Sequence, residues 1–345
     1  MKIALDAMGH DEGPPKLVEG AVLALRENKA ITRLFLTGDT PRLEAELRRL
    51  DCNDRRIEIV HCTQVVEMND NATDAVRRKR DSSVSRAVDL VKSGDAEAIV
   101  SAGHTGACVA ATTIKLRMLP GIERPAIATT MPTQTNLFIL VDAGANTDPT
   151  PTQMLHNAIM GTVYSRHVLH YPDPSVGLMS IGSEDKKGTD FTRQSFNLLR
   201  RSGLNFRGNV EGHDLFERPV EVVVTDGFTG NIVLKTTEAT AHAIFRWLKH
   251  EIVKTPTRKL GALLSKGAFQ AIRKKTSADE YGGSPLLGIN GVCIIGHGGS
   301  SAQAVKNAIR AATESITHHV NPHIVKEIQR HNEQAQGAAA QSASA

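Results

Sequence analysis

The chain has 345 residues and a formal net charge of +4, with 40% hydrophobic and 23% charged residues. It is long enough to bury a large core in one α/β domain or two lobes, and its composition is ordinary for a soluble globular protein. The net charge is too small to predict a nucleic-acid partner, although clustered basic residues are compatible with an acidic partner. No targeting segment or bilayer-spanning run is apparent, so we expect an intracellular protein.

The cysteines are Cys52, Cys62, Cys108 and Cys293. They show neither C-x-x-C spacing nor a pattern of histidine partners, which favours reduced structural thiols over a reactive or metal-binding site. The patterns H-E-x-x-H, G-x-S-x-G and G-x-x-x-x-G-K-[ST] do not occur. The usual signatures of zinc hydrolysis, a serine triad and nucleotide phosphate binding are therefore absent.

Short apolar runs typical of buried strands end repeatedly in glycine, over Ile3–Gly9, Leu34–Gly38, Ile99–Gly103, Phe138–Gly144, Val176–Gly182, Val222–Gly227 and Val292–Gly296. Stretches with helical spacing separate most of them, over Pro15–Asn28, Pro41–Leu50, Thr105–Leu119, Thr152–His167 and Ser300–His319. This alternation predicts a Rossmann-like α/β fold with a largely parallel sheet sandwiched by helices. Ligands bind beyond the carboxyl ends of such strands, so we expect the glycine-rich endings to form one functional edge.

We predict one large domain over residues 1–330, with two segments that depart from the alternation. The segment at about 249–276 is basic and apolar, and Thr257–Thr276 has the spacing of an amphipathic helix. The low-complexity sequence 331–345 predicts a disordered tail.

The segment Val222–Lys235 combines a β-branched run, an Asp-Gly turn and the start of a helical pattern. Free N–H groups at a helix start favour an anion, and Gly227 and Gly230 allow a ligand close to the main chain. Asn231 and Lys235 are one helical turn apart and can point to the same side. An ordinary strand-to-helix turn is the alternative.

Further motifs follow in order from Met1 to about Ala312: Asp6–Asp11, Arg77 with Arg80–Ser83, Ser101–Ala107, Glu123–Ala126, Asp142–Asn146, Gly182–Gly188, Tyr281–Gly283, Leu286–Gly288 and Gly296–Ser301. Each alone is common. Together with Val222–Lys235 they resemble the acyl-acyl carrier protein:phosphate acyltransferases, whose architecture is similar to that of phosphotransacetylases and isopropylmalate dehydrogenases. His10 and His104 stand where this family usually has glycine and asparagine.

The resemblance implies that inorganic phosphate attacks a long-chain acyl thioester, giving acyl phosphate and free carrier protein for phospholipid synthesis. Phosphate is itself a nucleophile, so the site must orient it and stabilise charge on the thioester oxygen. The implied catalytic residues are Lys187, Asn231 and His297, the last either as a proton donor to the leaving thiolate or as a hydrogen-bond donor to phosphate. The implied substrate contacts are Asn146, Asp226, Gly227, Gly230, Lys235, Arg80, Ser82, Ser83 and His104. No cofactor and no metal is implied, because lysine and backbone dipoles can supply the positive field.

Several of these residues have structural alternatives. Asp226 can cap the following helix, and Lys187 can be a solvated loop lysine. Lys235 can form an ion pair on the helix surface. His104 and His297 can be hydrogen-bonded loop histidines.

The basic run Arg77–Arg80 suits docking of an acidic carrier protein, which would raise the association rate, or is a solvated helix face. In the segment at about 249–276, an apolar face with basic flanks suits shallow insertion beside anionic lipid headgroups, through Leu260, Leu263, Leu264 and Ile272. A helix at a subunit interface is the alternative. The resemblance implies a cytoplasmic homodimer, peripherally bound to the inner face of the cell membrane, that supplies a membrane glycerol-phosphate acyltransferase.

Other functions compete with this one. A phosphotransacetylase-like enzyme would use the same chemistry on acyl-coenzyme A. A nicotinamide-dependent dehydrogenase is disfavoured because no G-x-G-x-x-G with a suitably placed acid follows the first strand. In a non-enzymatic carrier- or lipid-binding scaffold, Arg77–Arg80 and the basic helix would matter and Lys187 would not.

Overall fold

The structure is a computed structural model that describes residues 1–217 and 220–343, excluding the side chains of Ala278 and residues 335–343. One sheet of 11 strands runs through these residues. Its strands are β1 (Lys2–Asp6), β2 (Arg33–Gly38), β3 (Ile57–His61), β4 (Ala98–Ser101), β5 (Ala126–Pro132), β6 (Leu137–Val141), β7 (Val176–Met179), β8 (Phe206–Val210), β9 (Val222–Val224), β10 (Ser284–Leu287) and β11 (Val292–Ile295).

The sheet consists of two parallel groups that run in opposite directions. Its order is β3-β2-β1-β4-β11-β10-β5-β6-β9-β7-β8. The first group contains β3, β2, β1, β4 and β11, which are mutually parallel. The second group contains β6, β9, β7 and β8, which are also mutually parallel. Three antiparallel pairings, β11–β10, β10–β5 and β5–β6, join the groups. The carboxyl ends of β1, β4 and β11 therefore lie at one edge, named the first edge, and those of β6, β9 and β7 at the opposite, second edge.

Helices cover both faces of the sheet. They are α1 (Pro14–Glu27), α2 (Thr40–Arg49), α3 (Ala72–Arg78), α4 (Ser83–Ser93), α5 (Thr105–Leu116), α6 (Pro151–His167), α7 (Asp190–Arg201), α8 (Asp214–Glu217), α9 (Gly227–Ile252), α10 (Pro256–Leu264), α11 (Lys266–Thr276), α12 (Ala302–Thr317) and α13 (Val320–Ala343). One face packs on α1, α2, α6, α7, α12 and α13, and the other on α3, α4, α5, α8 and α9. Strand alternation divides the core accordingly, since Ile3 and Leu5 face α1 whereas Ala4 faces α4.

Local sequence explains how the central helix α6 begins. Thr150 accepts the N–H group of Gln153, and the Gln153 side chain accepts the N–H group of Thr150, which forms a capping box. Pro151 occupies the first turn, where a missing N–H group costs no helical hydrogen bond. Most of α6 from Met154 to Ser165 is buried, because the helix packs on the sheet and against α7 and α13.

The predicted α/β fold, with a largely parallel sheet between helices, is confirmed. Each of the seven apolar runs singled out in the sequence contains or overlaps a strand. The prediction of one functional edge is wrong, because β10 and β5 reverse the chain direction between the two parallel groups. An apolar run carries no information on the direction of its strand in the sheet. The sequence therefore could not show that the glycine-rich strand endings lie at two different edges.

Two predicted segments also differ from the structure. Thr257–Thr276 forms two helices, α10 and α11, that meet at Ser265 rather than one amphipathic helix. Within the predicted disordered tail, helix α13 continues to Ala343, and Ser344 and Ala345 lie outside the described residues. Alanine and glutamine dominate this stretch and both favour helix, so low complexity did not mean lack of secondary structure.

Candidate active site

A buried aspartate organises the turn after β6 at the second edge. Four backbone N–H groups donate to the Asp142 carboxylate at 2.7 to 3.0 Å, those of Ile127, Gly144, Ala145 and Asn146. Burial raises the pKa of this carboxyl, and the four donors act in the opposite direction. Both carboxylate oxygens are occupied by main chain, so Asp142 shapes the turn.

The first turn of α9 packs directly on that turn. Asp226 caps the helix by accepting the Thr229 N–H group at 2.8 Å, and the Gly227 N–H group donates to the Asn146 carbonyl at 2.8 Å. A Cβ atom at Gly227 would lie 2.6 Å from the Asn146 carbonyl oxygen. The structure thus explains Asp226 as a cap and Gly227 by close packing of protein. Ligand contact at either residue stays a prediction.

Three polar residues of the predicted site surround this junction. The Asn146 side chain donates to Gln153 Oε1 at 3.0 Å. Asn231 is exposed on α9 and lies close to Gly144, where a Cβ atom would be 3.5 Å from that of Asn231. Lys235 is also exposed and forms an ion pair with Glu238 at 3.7 Å, as the structural alternative describes.

Lys187 lies in the loop after β7, also at the second edge. The Asn209 side chain anchors this loop by donating to the Glu184 carbonyl at 2.8 Å. Lys187 Nζ lies 3.7 Å from Glu184 Oε1, and its side chain is 52% exposed. An exposed ion pair of this length holds the ammonium group weakly, so the Lys187 side chain can reorient.

Three loops interlock at the first edge, after β1, β4 and β11. The buried His10 ring accepts the Glu12 N–H group at Nδ1, which leaves Nε2–H to donate to the Ser300 carbonyl at 2.8 Å. The Asp11 N–H group donates to the Gly298 carbonyl at 3.0 Å. His10 therefore joins the first and last of these loops, which glycine at this position could not do by a side chain.

Asp6, the last residue of β1, is 2% exposed. Its Oδ2 atom accepts the Ser101 hydroxyl at 2.7 Å, whereas its Oδ1 atom has no hydrogen-bond partner among the described residues. Burial raises the pKa of Asp6, although the nearby Ser83 and Ser101 hydroxyls lower it. A small cavity adjoins the carboxyl and is lined by Asp6, Gly9, Val66, Ser83, Val84, Ser101, His104 and Ala107.

His297 is exposed in the loop between β11 and α12. Its Nδ1 atom accepts the Gly299 N–H group at 3.2 Å. In the neutral ring the proton is then on Nε2. The loop therefore presents an imidazole N–H group to solvent at the first edge.

The predicted substrate contacts Arg80, Ser82, Ser83 and His104 also lie at the first edge, whereas Gly230 lies near the start of α9 at the second edge. His104 caps α5 by accepting the Ala107 N–H group at 3.2 Å, and its Nε2–H group donates to the Asp70 carbonyl at 3.1 Å. Asparagine at this position would also be a good N-cap. Ser82 and Ser83 are buried at the start of α4, and Arg80 is exposed just before it.

The structure therefore divides the predicted site between the two edges. Asn146, Asn231 and Lys187 follow the neighbouring strands β6, β9 and β7. His297 follows β11, four strand positions from β9, or about 19 Å across the sheet at about 4.8 Å per strand. One small reacting centre cannot contact both sets of residues within one chain.

The helices α9, α10 and α11 carry much of the exposed apolar surface. The four predicted membrane contacts on α10 and α11 are all exposed, with Leu260 at 59%, Leu263 at 66%, Leu264 at 81% and Ile272 at 52%. Helix α9 adds exposed apolar residues that the sequence analysis did not single out, Phe228, Ile232, Ile244, Trp247 and Leu248. The segment rejoins the first edge, where the Ser301 hydroxyl donates to Asp279 at 2.6 Å.

Other kinds of site are not found within residues 1–217 and 220–343. No helix there is both long and apolar enough to cross a bilayer. No group of three or more His, Cys, Asp or Glu side chains in the same residues is placed to hold a metal ion. The four cysteines are free thiols, and the buried Cys108 and Cys293 lie 3.6 Å apart at Sγ.

Sequence comparison identifies the family. The profile described as "Fatty acid synthesis protein" matches residues 1–323. A phosphate acyltransferase of Akkermansia muciniphila is 48% identical, with 96% of each chain covered. The chain belongs to the phosphate acyltransferase family. Another member, from Pelobacter propionicus, is 48% identical and covers 95% of this chain and 94% of its own.

Solved structures support the fold of this phosphate acyltransferase family member. A phosphotransacetylase from Streptococcus pyogenes has a TM-score of 0.62 at 20% identity, covering 92% of this chain and 94% of its own. A branched-chain phosphotransacylase from Enterococcus faecalis V583 has a TM-score of 0.55 at 13% identity, covering 92% and 99%. At these identities the likeness concerns the fold alone, and it agrees with the predicted architecture.

Sequence reasoning did not single out two candidate site residues of this phosphate acyltransferase family member, Asp6 and Ser101. Asp6 belongs to a quoted motif, and a carboxylate at the end of an apolar strand was the signal available for it. Ser101 lies in another quoted motif, and its pairing with Asp6 depends on the parallel contact of β1 with β4. The sequence does not reveal which strands are neighbours, so their joint cavity could not be predicted.

Proposed function

We propose that this protein transfers an acyl group from acyl-acyl carrier protein to inorganic phosphate, giving acyl phosphate and free carrier protein. The supporting observation is membership of the phosphate acyltransferase family over nearly the whole chain. The names of the relatives specify phosphate acyltransfer. The carrier thioester, the long-chain acyl phosphate product and its use in phospholipid synthesis belong to the proposal.

The chemistry requires no covalent enzyme intermediate. A phosphate oxygen attacks the thioester carbonyl carbon, the carbon–sulfur bond breaks, and the electron pair leaves on sulfur. The thiolate then takes a proton, and His297 supplies it from Nε2–H. The Gly299 N–H group supports this role because it occupies Nδ1 and so keeps the proton on the exposed nitrogen.

Within this proposal the reacting atoms meet at the first edge. His297, the cavity beside Asp6 and the start of α4 with Ser82 and Ser83 all lie there. Lys187 and Asn231, with Asn146 and Lys235, then bind the substrate away from the reacting atoms. A pantetheine arm with a long acyl chain is extended enough to contact residues at both edges.

The carrier protein docks on the basic run beside the same edge. Arg77, Arg78 and Arg80 are exposed, and none of them forms an ion pair with a described residue. Lys79 is occupied instead, because its ammonium group pairs with Asp70 at 2.6 Å. Three unpaired guanidinium groups next to α4 suit an acidic partner and would mainly raise its association rate.

Helices α10 and α11 contact the membrane surface, and α9 contacts a second copy of the chain. The exposed leucines of α10 and the basic residues around them support reversible, peripheral binding at the inner face of the cell membrane. The apolar side chains along α9 support a homodimer, because a patch of this kind usually marks an interface. Acyl phosphate is then released where a membrane glycerol-phosphate acyltransferase can use it.

The test is formation of acyl phosphate by the purified chain from phosphate and either acyl-acyl carrier protein or acyl-coenzyme A. We expect product with the carrier thioester and a lower kcat/KM with acyl-coenzyme A. Activity with acyl-coenzyme A alone would identify a phosphotransacetylase-like enzyme. Binding of carrier protein without product from either thioester would indicate a scaffold.

A further inference from the structure

Two buried aspartates at the ends of parallel strands are satisfied very differently. Asp142 accepts four backbone N–H groups, so both of its oxygens have partners. Asp6 accepts the Ser101 hydroxyl at Oδ2, whereas its Oδ1 atom has no partner among the residues described. An unpaired oxygen on a buried carboxyl is costly, so the site is suited to a ligand that brings a donor.

The cavity beside Asp6 also offers donors to a ligand. Ser83, which lines it, opens the 11-residue helix α4, and the N-cap residue Ser82 makes no side-chain cap hydrogen bond. The 12-residue helix α5 starts next to the same cavity but is capped by His104. The uncapped start of α4 presents N–H groups and a positive dipole end, which together favour an anion.

Donors and an unpaired acceptor in one cavity are complementary to an oxyanion that still carries a proton. The cavity has room for about one oxygen-sized group, so we propose that hydrogen phosphate binds at its mouth, with its P–OH group inserted beside Asp6, Ser83 and Ser101. Asp6 Oδ1 accepts the P–OH hydrogen, while Ser83 and the start of α4 donate to the other phosphate oxygens. This rests on the proposed function, because it names the binding site of the nucleophile.

The arrangement selects phosphate over sulfate. At neutral pH, hydrogen phosphate has a proton to donate to Asp6, whereas sulfate has none and would place a bare oxygen against a buried carboxylate. Loss of one hydrogen bond to a charged group changes affinity about tenfold or more. Asparagine at this position has nearly the same shape and can donate an N–H group, so it removes the reason to reject sulfate.

The experiment is isothermal titration of the full chain with inorganic phosphate and with sulfate. We expect the parent to bind phosphate at least about tenfold more tightly than sulfate, and Asp6→Asn to lose that preference through tighter sulfate binding. Asp11→Asn is the matched control, since it removes one negative charge from an exposed position at the same edge. It should keep the parent preference. Equal affinity of the parent for both anions, or equal shifts in Asp6→Asn and Asp11→Asn, overturns the proposal.

A second variant guards against misfolding of Asp6→Asn. Ser83→Ala leaves Asp6 in place and should weaken phosphate binding about tenfold while the preference over sulfate persists. Unchanged phosphate affinity in folded Ser83→Ala overturns the site. The acyl phosphate assay separates this result from the proposed function. Selective phosphate binding without product from any thioester refutes the proposed function and supports the site. Product formation by the parent, together with an Asp6→Asn variant that still prefers phosphate over sulfate, supports the function and overturns the site.

Discussion

Gly230→Ala tests how closely α9 packs on the turn after β6. A Cβ atom at this position would lie 1.9 Å from the Asp142 carbonyl oxygen and 2.8 Å from Thr225 Cγ2. Contacts of a real Cβ atom below 3.0 Å essentially do not occur, so helix and turn must separate by about 1.1 Å. The turn cannot yield easily, because four N–H groups hold the Asp142 carboxylate.

The structure sets the size of the effect. Overpacking against main chain costs about 3 kcal/mol, at the upper end of the usual range. The separation also strains the hydrogen bond from Gly227 to Asn146, worth about 1 kcal/mol. Alanine gains about 1 kcal/mol over glycine inside a helix. We therefore expect the free energy of unfolding to fall by about 3 kcal/mol.

Gly261→Ala is the matched control, because a Cβ atom there meets nothing within 4 Å. It should raise the free energy of unfolding by about 0.5–1 kcal/mol through helix propensity alone. Urea denaturation followed by circular dichroism measures both variants, and phosphate titration is carried out alongside. Parent-like stability of Gly230→Ala would refute the packing argument. If phosphate binding were lost at the same time, Gly230 would instead serve ligand approach, as the sequence predicts.

Three further predictions concern the substrate, the membrane and pH. Lys187→Ala should raise KM for acyl-acyl carrier protein with little change in kcat, and a fall in kcat of about a hundredfold would move the reaction to the second edge. Replacing Leu263 and Leu264 with Glu should abolish flotation with anionic vesicles while Leu198→Glu, an exposed leucine on α7, has no effect; retained flotation would exclude α10 as the anchor. Burial lowers the pKa of three histidines on α6 and α13 below 6.5, so the folded state binds fewer protons and the free energy of unfolding should fall as pH drops through this value. The three histidines are His156, His167 and His331. Urea midpoints measured at two pH values check this prediction, and replacing the three residues with glutamine should reduce the dependence of stability on pH relative to the parent.

The sequence predicted the parts of the fold that depend on local pattern. Apolar runs such as Val222–Val224 are buried strands, and the predicted helical stretch Thr152–His167 lies within α6. It did not predict the direction of the strands. Strands β10 and β5 reverse the sheet, and their pairing joins residues more than 150 positions apart, as between Leu286 and Ile127. Such contacts depend on tertiary packing rather than on local periodicity.

For the candidate site, sequence reasoning identified residue types but not their neighbours. His297 and Lys187 were both predicted from strand-end motifs, and both are exposed in loops as expected. Their separation follows from the opposed strand groups. His104 shows a second limit, because its ring nitrogens are used by Ala107 and Asp70. A side chain's hydrogen-bond partners decide whether it is free to meet a ligand, and they become visible only in the fold.

Asp6 and Asp142 show why identity and position in a motif are insufficient to assign a role. Both are buried aspartates at a strand end followed closely by glycine, and burial raises the pKa of both. Around Asp142, N–H groups of the following turn and of Ile127 give both carboxylate oxygens partners, which makes the residue structural. Around Asp6, the Oδ1 atom has no hydrogen-bond partner among the described residues, and glycine at position 9 leaves space beside the carboxyl. The difference lies in the number of backbone N–H groups that donate to each carboxylate, and it leaves Asp6 as the one of the two with an open acceptor.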